Sequence, residues 1–302
     1  MAEHWKSLLG LDEVGLRDDF FELGGSSIKL IELIHHVQAE FDITVAVGEL
    51  FKTTTLHGVA KTVEHVITGR LPGSQPYVRF NEGRGEPVCC FPPVGGHGLV
   101  YRRFAAQLPG HELLAFNHIP GADKIARYAD LVESLQPDGP CLLLGYSLGG
   151  NLAFEVAGEL EDRGREVRRV IIIDSYRIAR AFEVDAERLA TFERELVEHL
   201  RRHAGTDVLA LETREQAREY LEFCGRNPNR RVIDAPITVL CDPDNAAVHL
   251  SGAEGAWHDR SRLGTRVLRG SGTHAEMLDG VHVAANAELV RELLVGGEAD
   301  VA

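Results

Sequence analysis

The sequence predicts a small all-α domain over residues 1–70, then a linker at 71–86 and an α/β domain over 87–302. Three observations carry this reading. The first 70 residues contain helix-like stretches and no clear strand. From Pro87 onward, short continuous apolar runs alternate with amphipathic ones. Between the two lies Arg70-Leu71-Pro72-Gly73-Ser74-Gln75-Pro76, a composition typical of an interdomain connection.

Within the first segment, residues 27–40 place Ile28, Ile31, Ile34 and Val37 on one helical stripe with Leu30 and Leu33 beside it. Lys29, Glu32, His36 and Gln38 fall mostly opposite. A last helix is expected over 56–67, after three consecutive threonines (53–55) that can cap its start. In the second segment the apolar runs are Val88–Phe91, Glu112–Phe116, Cys141–Leu144, Val170–Ile173, Ile237–Leu240 and the shorter Arg266–Leu268. Continuous runs of this length, separated by helices, belong to a mostly parallel sheet covered on both faces. Between Ile173 and Ile237 the strand signal lapses, and two helix-like stretches, 186–203 and 213–224, take its place. An insertion of that size, about 175–236, reads as a helical lid over a site. Phe182, Leu189, Phe192, Leu196, Leu221 and Phe223 in it are as well explained by burial against their own domain as by an acyl pocket.

Bulk properties exclude several classes. The net charge of −14 disfavours nucleic acid or an anionic membrane as partner, since both require a Lys/Arg footprint. No apolar run reaches the length of a membrane span, and the first residues lack a signal-peptide core. Of the five cysteines, Cys89, Cys90, Cys141 and Cys241 lie in or beside apolar runs. They read as small buried hydrophobes in a reducing cytoplasm, without disulfides.

Chemistry enters at Gly145-Tyr146-Ser147-Leu148-Gly149-Gly150. Gly-x-Ser-x-Gly alone arises by chance about 0.1 times in a chain of this composition. Here it follows a buried run and opens a helical one. Strand–turn–helix is the context of the nucleophile elbow of α/β-hydrolases, where glycines relieve crowding at a strained serine and a helix N-terminus faces developing charge. A serine hydroxyl needs a base, and the base needs an orienting acid. Asp174 ends one strand, and Asp242 and Asp244 follow the next; the residues alone leave these open, and strand-end turns account equally for all three. For the base, His274 lies after the last strand, with His282, His258 and His249 as competitors. Most of the 14 histidines are surface or cap residues.

A second serine, Ser27, follows Phe20-Phe21-Glu22-Leu23-Gly24-Gly25-Ser26 and starts the 27–40 helix. Paired glycines let another enzyme approach the backbone, and a helix N-terminus favours a phosphodiester. Phe20 and Phe21 can pin the preceding loop to a small core. On these features alone an N-capping serine is the better account.

Taken together the motifs resemble a known arrangement. Residues 87 to about 296 are similar to the terminal thioesterase domains of nonribosomal peptide synthetases. The likeness runs through Cys90-Phe91-Pro92-Pro93-Val94-Gly95-Gly96, residues 145–155, Ile172-Ile173-Asp174-Ser175 and Gly272-Thr273-His274-Ala275-Glu276-Met277-Leu278. That resemblance implies an α/β-hydrolase fold with a triad of Ser147, Asp174 and His274, and an oxyanion hole formed by the backbone N–H groups of Val94 and Leu148. Residues 5–70 resemble a peptidyl carrier domain through Phe-Phe-x-Leu-Gly-Gly-x-Ser-Ile, which implies a helical bundle and 4′-phosphopantetheine carried on Ser27. Ser26 stands where that family more often has His or Asp. Little of the carrier's first helix precedes Gly10, so the chain reads as a piece of a larger synthetase with a carrier less stable than usual. The implied partners are upstream condensation and adenylation domains, a phosphopantetheinyl transferase and a peptidyl thioester substrate. The implied reaction is transfer of the acyl chain to Ser147, then hydrolysis or macrocyclisation. A stand-alone esterase and a polyketide-type release enzyme are the alternatives.

Overall fold

Apolar side chains three and four apart cover one side of the helix at Ser27–Phe41, and the computed structural model shows which of them form the small core. The structure describes residues 1–41, 45, 53–67, 76–83, 85–185, 189–190 and 211–295. The chain divides into two compact units, one of residues 1–78 and 186–214 and one of residues 79–185 and 215–302.

The first unit contains α1 (Ala2–Leu9), α2 (Ser27–Phe41) and α3 (Leu56–Ile67). The deeply buried stripe of α2 is Leu30, Leu33, Ile34 and Val37, while Ile28 and Ile31 are only half-buried. This shifts the expected stripe by part of a turn. The shift follows from what α2 packs against: Trp5 of α1, Phe20 of the loop, and Leu56, Val59 and Val63 of α3. Trp5 and Phe20 are fully buried and meet edge to face at 5.0 Å. Thr55 caps α3 as the threonine run suggests, its Oγ1 accepting the Gly58 N–H at 3.1 Å.

Seven strands form one sheet: β1 (Tyr77–Phe80), β2 (Val88–Phe91), β3 (Leu113–Phe116), β4 (Cys141–Tyr146), β5 (Val167–Ile173), β6 (Ile237–Cys241) and β7 (Thr265–Arg269), of which β2 to β7 lie wholly in the second unit. Their spatial order is β1-β3-β2-β4-β5-β6-β7. Pairing is parallel from β3 through β7. β1 lies inside the stretch expected as linker. Its four residues are too short to signal a strand, and as an edge strand it needs no continuous apolar run. The helices after β2 are α4 (Arg102–Ala106), α5 (Lys124–Leu135), α6 (Leu148–Asp162), α7 (Leu211–Arg226), α8 (Ala246–Ser251) and α9 (Val283–Val295), all in the second unit except the first four residues of α7. Of the two helices expected in the lid, α7 is present, whereas 186–203 falls outside the described residues apart from 189–190.

Parallel register aligns the carboxyl ends of the central strands. Phe91 pairs with Gly145, Tyr146 with Ile173, Ile173 with Leu240, and Cys241 with Arg269. The loops that follow therefore leave from one edge of the sheet, where open α/β sheets bind ligands. All five cysteines are free and buried. Burial pushes the Cys224 thiol up to about 12 and the Cys241 thiol up to about 11, so neither is a reactive thiolate at neutral pH.

Each unit has its own buried cluster and one tryptophan, Trp5 or Trp257, which allows the two to be followed separately. Truncating Phe20 to Ala removes about 3–5 kcal/mol from a core that small. In a Trp257→Phe background, Trp5 emission of the Phe20→Ala variant is expected to shift red at 25 °C. In a Trp5→Phe background, the melting of Trp257 should be unchanged. An unshifted Trp5 signal would contradict the assignment of Phe20 to the small core.

Candidate active site

Ser147 sits between β4 and α6 with φ 56° and ψ −134°, a conformation that L-residues rarely adopt. The turn is held from both sides. Ser147 N–H donates to Ile173 O at 3.0 Å, and Gly150 N–H returns to Ser147 O at 2.9 Å. The flanking glycines are required by contact. A Cβ on Gly145 would fall 2.0 Å from Gly149 O, and one on Gly149 would fall 2.4 Å from Phe91 O.

Asp174 follows β5, also at positive φ (44°), and its carboxylate is buried. Its Oδ2 lies 2.5 Å from His274 Nδ1, while Oδ1 accepts the Asp242 N–H at 2.9 Å and Asn245 Nδ2 at 3.2 Å. Burial pushes this carboxyl upward, but the bond to His274, the Asp242 N–H, the imidazole's charge and Asn245 outweigh it and hold the pKa below the usual carboxylate value. An ionised Asp174 only accepts, so the proton between the two groups rests on Nδ1 and Nε2 is left as the basic nitrogen.

His274 opens a short 3₁₀ turn, His274–Glu276. Thr273 and Glu276 cap that turn reciprocally: Thr273 N–H donates to Glu276 Oε2 at 3.0 Å, and the Thr273 side chain accepts the Glu276 backbone N–H. The imidazole stacks on Tyr146 with ring centroids 5.0 Å apart, and Tyr146 O–H donates to His274 O at 2.5 Å. The residue preceding the elbow serine thus fixes both ring and main chain of the histidine.

Three of the rival residues, Asp242, His282 and His249, have other contacts in the fold. Asp242 accepts the main-chain N–H of His274 at 3.1 Å and that of Asp244 at 2.7 Å, so it steadies the loop without touching the ring. His282 Nδ1 pairs with Ser271 Oγ at 2.8 Å. His249 is buried and stacks on Tyr176 at 5.2 Å; burial lowers its pKa.

Val94 occupies the second position of a turn closed by Gly96 N–H to Pro93 O at 2.8 Å, which leaves the Val94 N–H unused by that turn. Leu148 is the first residue of α6, so its N–H has no intrahelical acceptor. Tyr101, wholly buried, ties the two strand ends together: its O–H donates to Phe91 O at 2.6 Å and accepts Tyr146 N–H at 2.9 Å. The sequence gives a local signal only for some of these supports. Thr273-x-x-Glu276 is a capping-box pattern, but nothing in the sequence ties Tyr101 to residue 146.

In the first unit, the helix cap at α2 is Ser26 rather than Ser27. Ser26 Oγ accepts the Lys29 N–H at 3.2 Å. Ser27 is then the first residue of α2, beside N–H groups that a phosphodiester can use. Gly25 is needed for packing as well as access: a Cβ there would lie 2.3 Å from the Phe20 ring. The site fits a phosphopantetheine group attached through the Ser27 hydroxyl.

Residues 86–293 match the family "Thioesterase domain", and residues 1–63 match "Phosphopantetheine attachment site". The chain is 35% identical over 301 residues to surfactin synthase subunit 3 of Bacillus subtilis (strain 168), covering 97% of this chain and 23% of that one. It is 29% identical over 315 residues to tyrocidine synthase 3 of Brevibacillus parabrevis, covering 97% of this chain and 5% of that one. The chain thus spans less than a quarter of the length of these curated relatives. Among solved structures, that of the surfactin thioesterase domain, described as cyclising a lipopeptide antibiotic, has a TM-score of 0.65 at 31% identity. It covers 74% of this chain and 97% of that one. Among the described residues no helix is long and apolar enough to cross a membrane.

The low pKa of Asp174 sets a sign for stability against pH. Its contribution is full above the ordinary carboxylate value of about 4 and is lost as pH falls through the lower folded value. Thermal melts from pH 7 down to pH 2 should therefore show a wild-type loss that Asp174→Asn lacks. Parallel curves for the two proteins would contradict the pairing with His274.

Proposed function

The chain belongs to the thioesterase domain family, and from that premise we propose that it ends a peptide-assembly line by releasing a carrier-bound acyl chain. The observation that carries the reading is the buried, ionised Asp174 bonded to an imidazole that stacks on the residue before a strained elbow serine. Ser147 is the nucleophile in this reading. His274 Nε2 takes the Oγ proton as Oγ attacks a thioester carbonyl. Asp174 holds the imidazole's tautomer and steadies its protonated form. The N–H groups of Val94 and Leu148 receive the oxyanion, an arrangement worth about 3–4 kcal/mol per donor in related sites. Collapse of the tetrahedral intermediate breaks the C–S bond and expels the thiolate, which leaves as a thiol with the proton from His274, and an ester remains on Ser147. Water, or an amine or hydroxyl of the acyl chain itself, then attacks that ester with His274 again as base.

Ser27 is the proposed attachment point for 4′-phosphopantetheine, which when bound supplies a thiol that carries the acyl chain as a thioester. The match of residues 1–63 and the displacement of the cap to Ser26 support this. Fusion of the two domains raises the effective substrate concentration to roughly millimolar. The relatives are synthetase subunits by name, which supports upstream condensation and adenylation domains as partners, with a phosphopantetheinyl transferase to modify Ser27. Free, buried cysteines support a cytoplasmic setting.

The test follows intact-protein mass after a promiscuous transferase loads a short peptidyl-phosphopantetheine from its coenzyme A conjugate. Wild type should gain and then lose the peptide. Ser147→Ala should gain it and keep it, with release slowed by at least about 10³-fold. Ser27→Ala should gain nothing. The released mass separates hydrolysis, which adds one water, from cyclisation, which adds none. Release from Ser147→Ala at the wild-type rate would overturn the reading.

A further inference from the structure

Helix α7 grips the loop that follows β2 at two points, one on each side of Val94. Gln216 Nε2 donates to Gly95 O at 3.0 Å. Tyr220 O–H donates to Pro92 O at 3.0 Å and lies 3.4 Å from Leu148 O. Residues four apart share a helix face, so one face of α7 reaches both ends of the turn that contains Val94. Tyr220 is fully buried. A hydroxyl in that position must be hydrogen-bonded, and these carbonyls are its acceptors. Gly96 stands at φ 74°, a conformation that side chains rarely adopt, and a Cβ there would press on the Gln216 amide and lie 2.9 Å from His118 Cβ.

The same helix is fastened on its other flank. Glu219 accepts both Lys124 Nζ bonds, at 3.0 and 2.8 Å, and the Gly121 N–H at 3.3 Å. The Lys124 side chain has no exposed surface, and its ammonium lies over the rings of Tyr220 (5.2 Å) and Phe223 (4.6 Å). His118 packs against Tyr220 at 5.3 Å. The phenol is thus confined by its neighbours to the position from which it reaches the carbonyls of Pro92 and Leu148.

We propose that Tyr220 and Gln216 are positioning residues for the oxyanion hole. Neither touches reacting atoms. By holding the carbonyls of Pro92 and Gly95 they fix the turn that aims the Val94 N–H. Through Leu148 O, Tyr220 also references that turn to the elbow that supplies the second N–H. The inference rests on the proposed reading of Ser147 as nucleophile and of the Val94 and Leu148 N–H groups as oxyanion donors.

The experiment uses the full chain and two probes. Turnover of decanoyl-N-acetylcysteamine thioester gives kcat and KM. An acyl trifluoromethyl ketone of the same chain length adds to a serine hydroxyl and places an oxyanion in the hole, so its inhibition constant reads the hole directly. Tyr220→Phe keeps the ring and removes the hydroxyl. It should lower kcat and weaken the ketone in parallel, each by about tenfold or more, with KM unchanged. Gln216→Ala should act in the same direction, and the double variant should lose less than the product of the two because both act on one turn. Arg218→Ala, an exposed change on the same helix that removes only the pair with Glu222, should leave kcat and the inhibition constant as in wild type. Wild-type kcat and ketone affinity in both Tyr220→Phe and Gln216→Ala, or a rise in KM alone, would overturn the proposal. If Tyr220→Phe fails to fold, Gln216→Ala at its half-buried position decides. A wild-type chain that neither turns over the thioester nor forms the ketone adduct at Ser147 would remove the underlying reading, an outcome distinct from a wild-type enzyme unaffected by the two substitutions.

Discussion

A serine at φ 56° and ψ −134° persists only where its surroundings over-determine it. Here they do so through contacts that reach across the sheet. Gly145 and Gly149 approach each other too closely for any side chain, and Gly149 rests on the carbonyl of Phe91. That contact seats the elbow against the end of β2. Tyr101 repeats the connection inside the core by bonding the last residues of β2 and β4. The register of the parallel strands supplies the rest, bringing Asp174 and the loops after β6 and β7 to the same edge. The proposed nucleophile, base, acid and oxyanion donors therefore come from four different strand ends, and their geometry depends on sheet register more than on any one loop.

Two aspartates divide the work of holding the histidine. Asp174 bonds the ring and Asp242 bonds the main chain, while the N–H of Asp242 bonds Asp174 in turn. A buried carboxylate would ordinarily rise in pKa, but the donors aimed at Asp174 reverse that. Tyr146 adds a face for the imidazole to rest on. The histidine is held at three points although its side chain is about half exposed (47%), which suits its proposed role as a base that meets a substrate.

How much of this the sequence discloses depends on distance along the chain. Strands β2 to β6 are legible because burial on both faces leaves continuous apolar runs, such as Val170–Ile173. β1 is not, because four edge residues leave no such run. The elbow is legible because its glycines lie two residues from the serine. The choice between Asp174 and Asp242 is not fixed by composition or spacing, since both end strands; the family resemblance selects Asp174, and the three-dimensional register brings that residue to the ring. The contacts of Tyr220 with Pro92 and Leu148 span 128 and 72 residues, and no local pattern marks them. At Ser27 the local reading is the misleading one: a serine at a helix start suggests a cap, yet the adjacent Ser26 is the residue that caps.

Ser147 is the hydroxyl proposed to be activated by this arrangement, and labelling the chain with a fluorophosphonate, with the adduct mapped by peptide mass spectrometry, tests this. One adduct is expected, on Ser147, and its formation should slow by roughly 10³-fold or more in His274→Ala. An adduct on a different serine, or a labelling rate indifferent to His274, would contradict it.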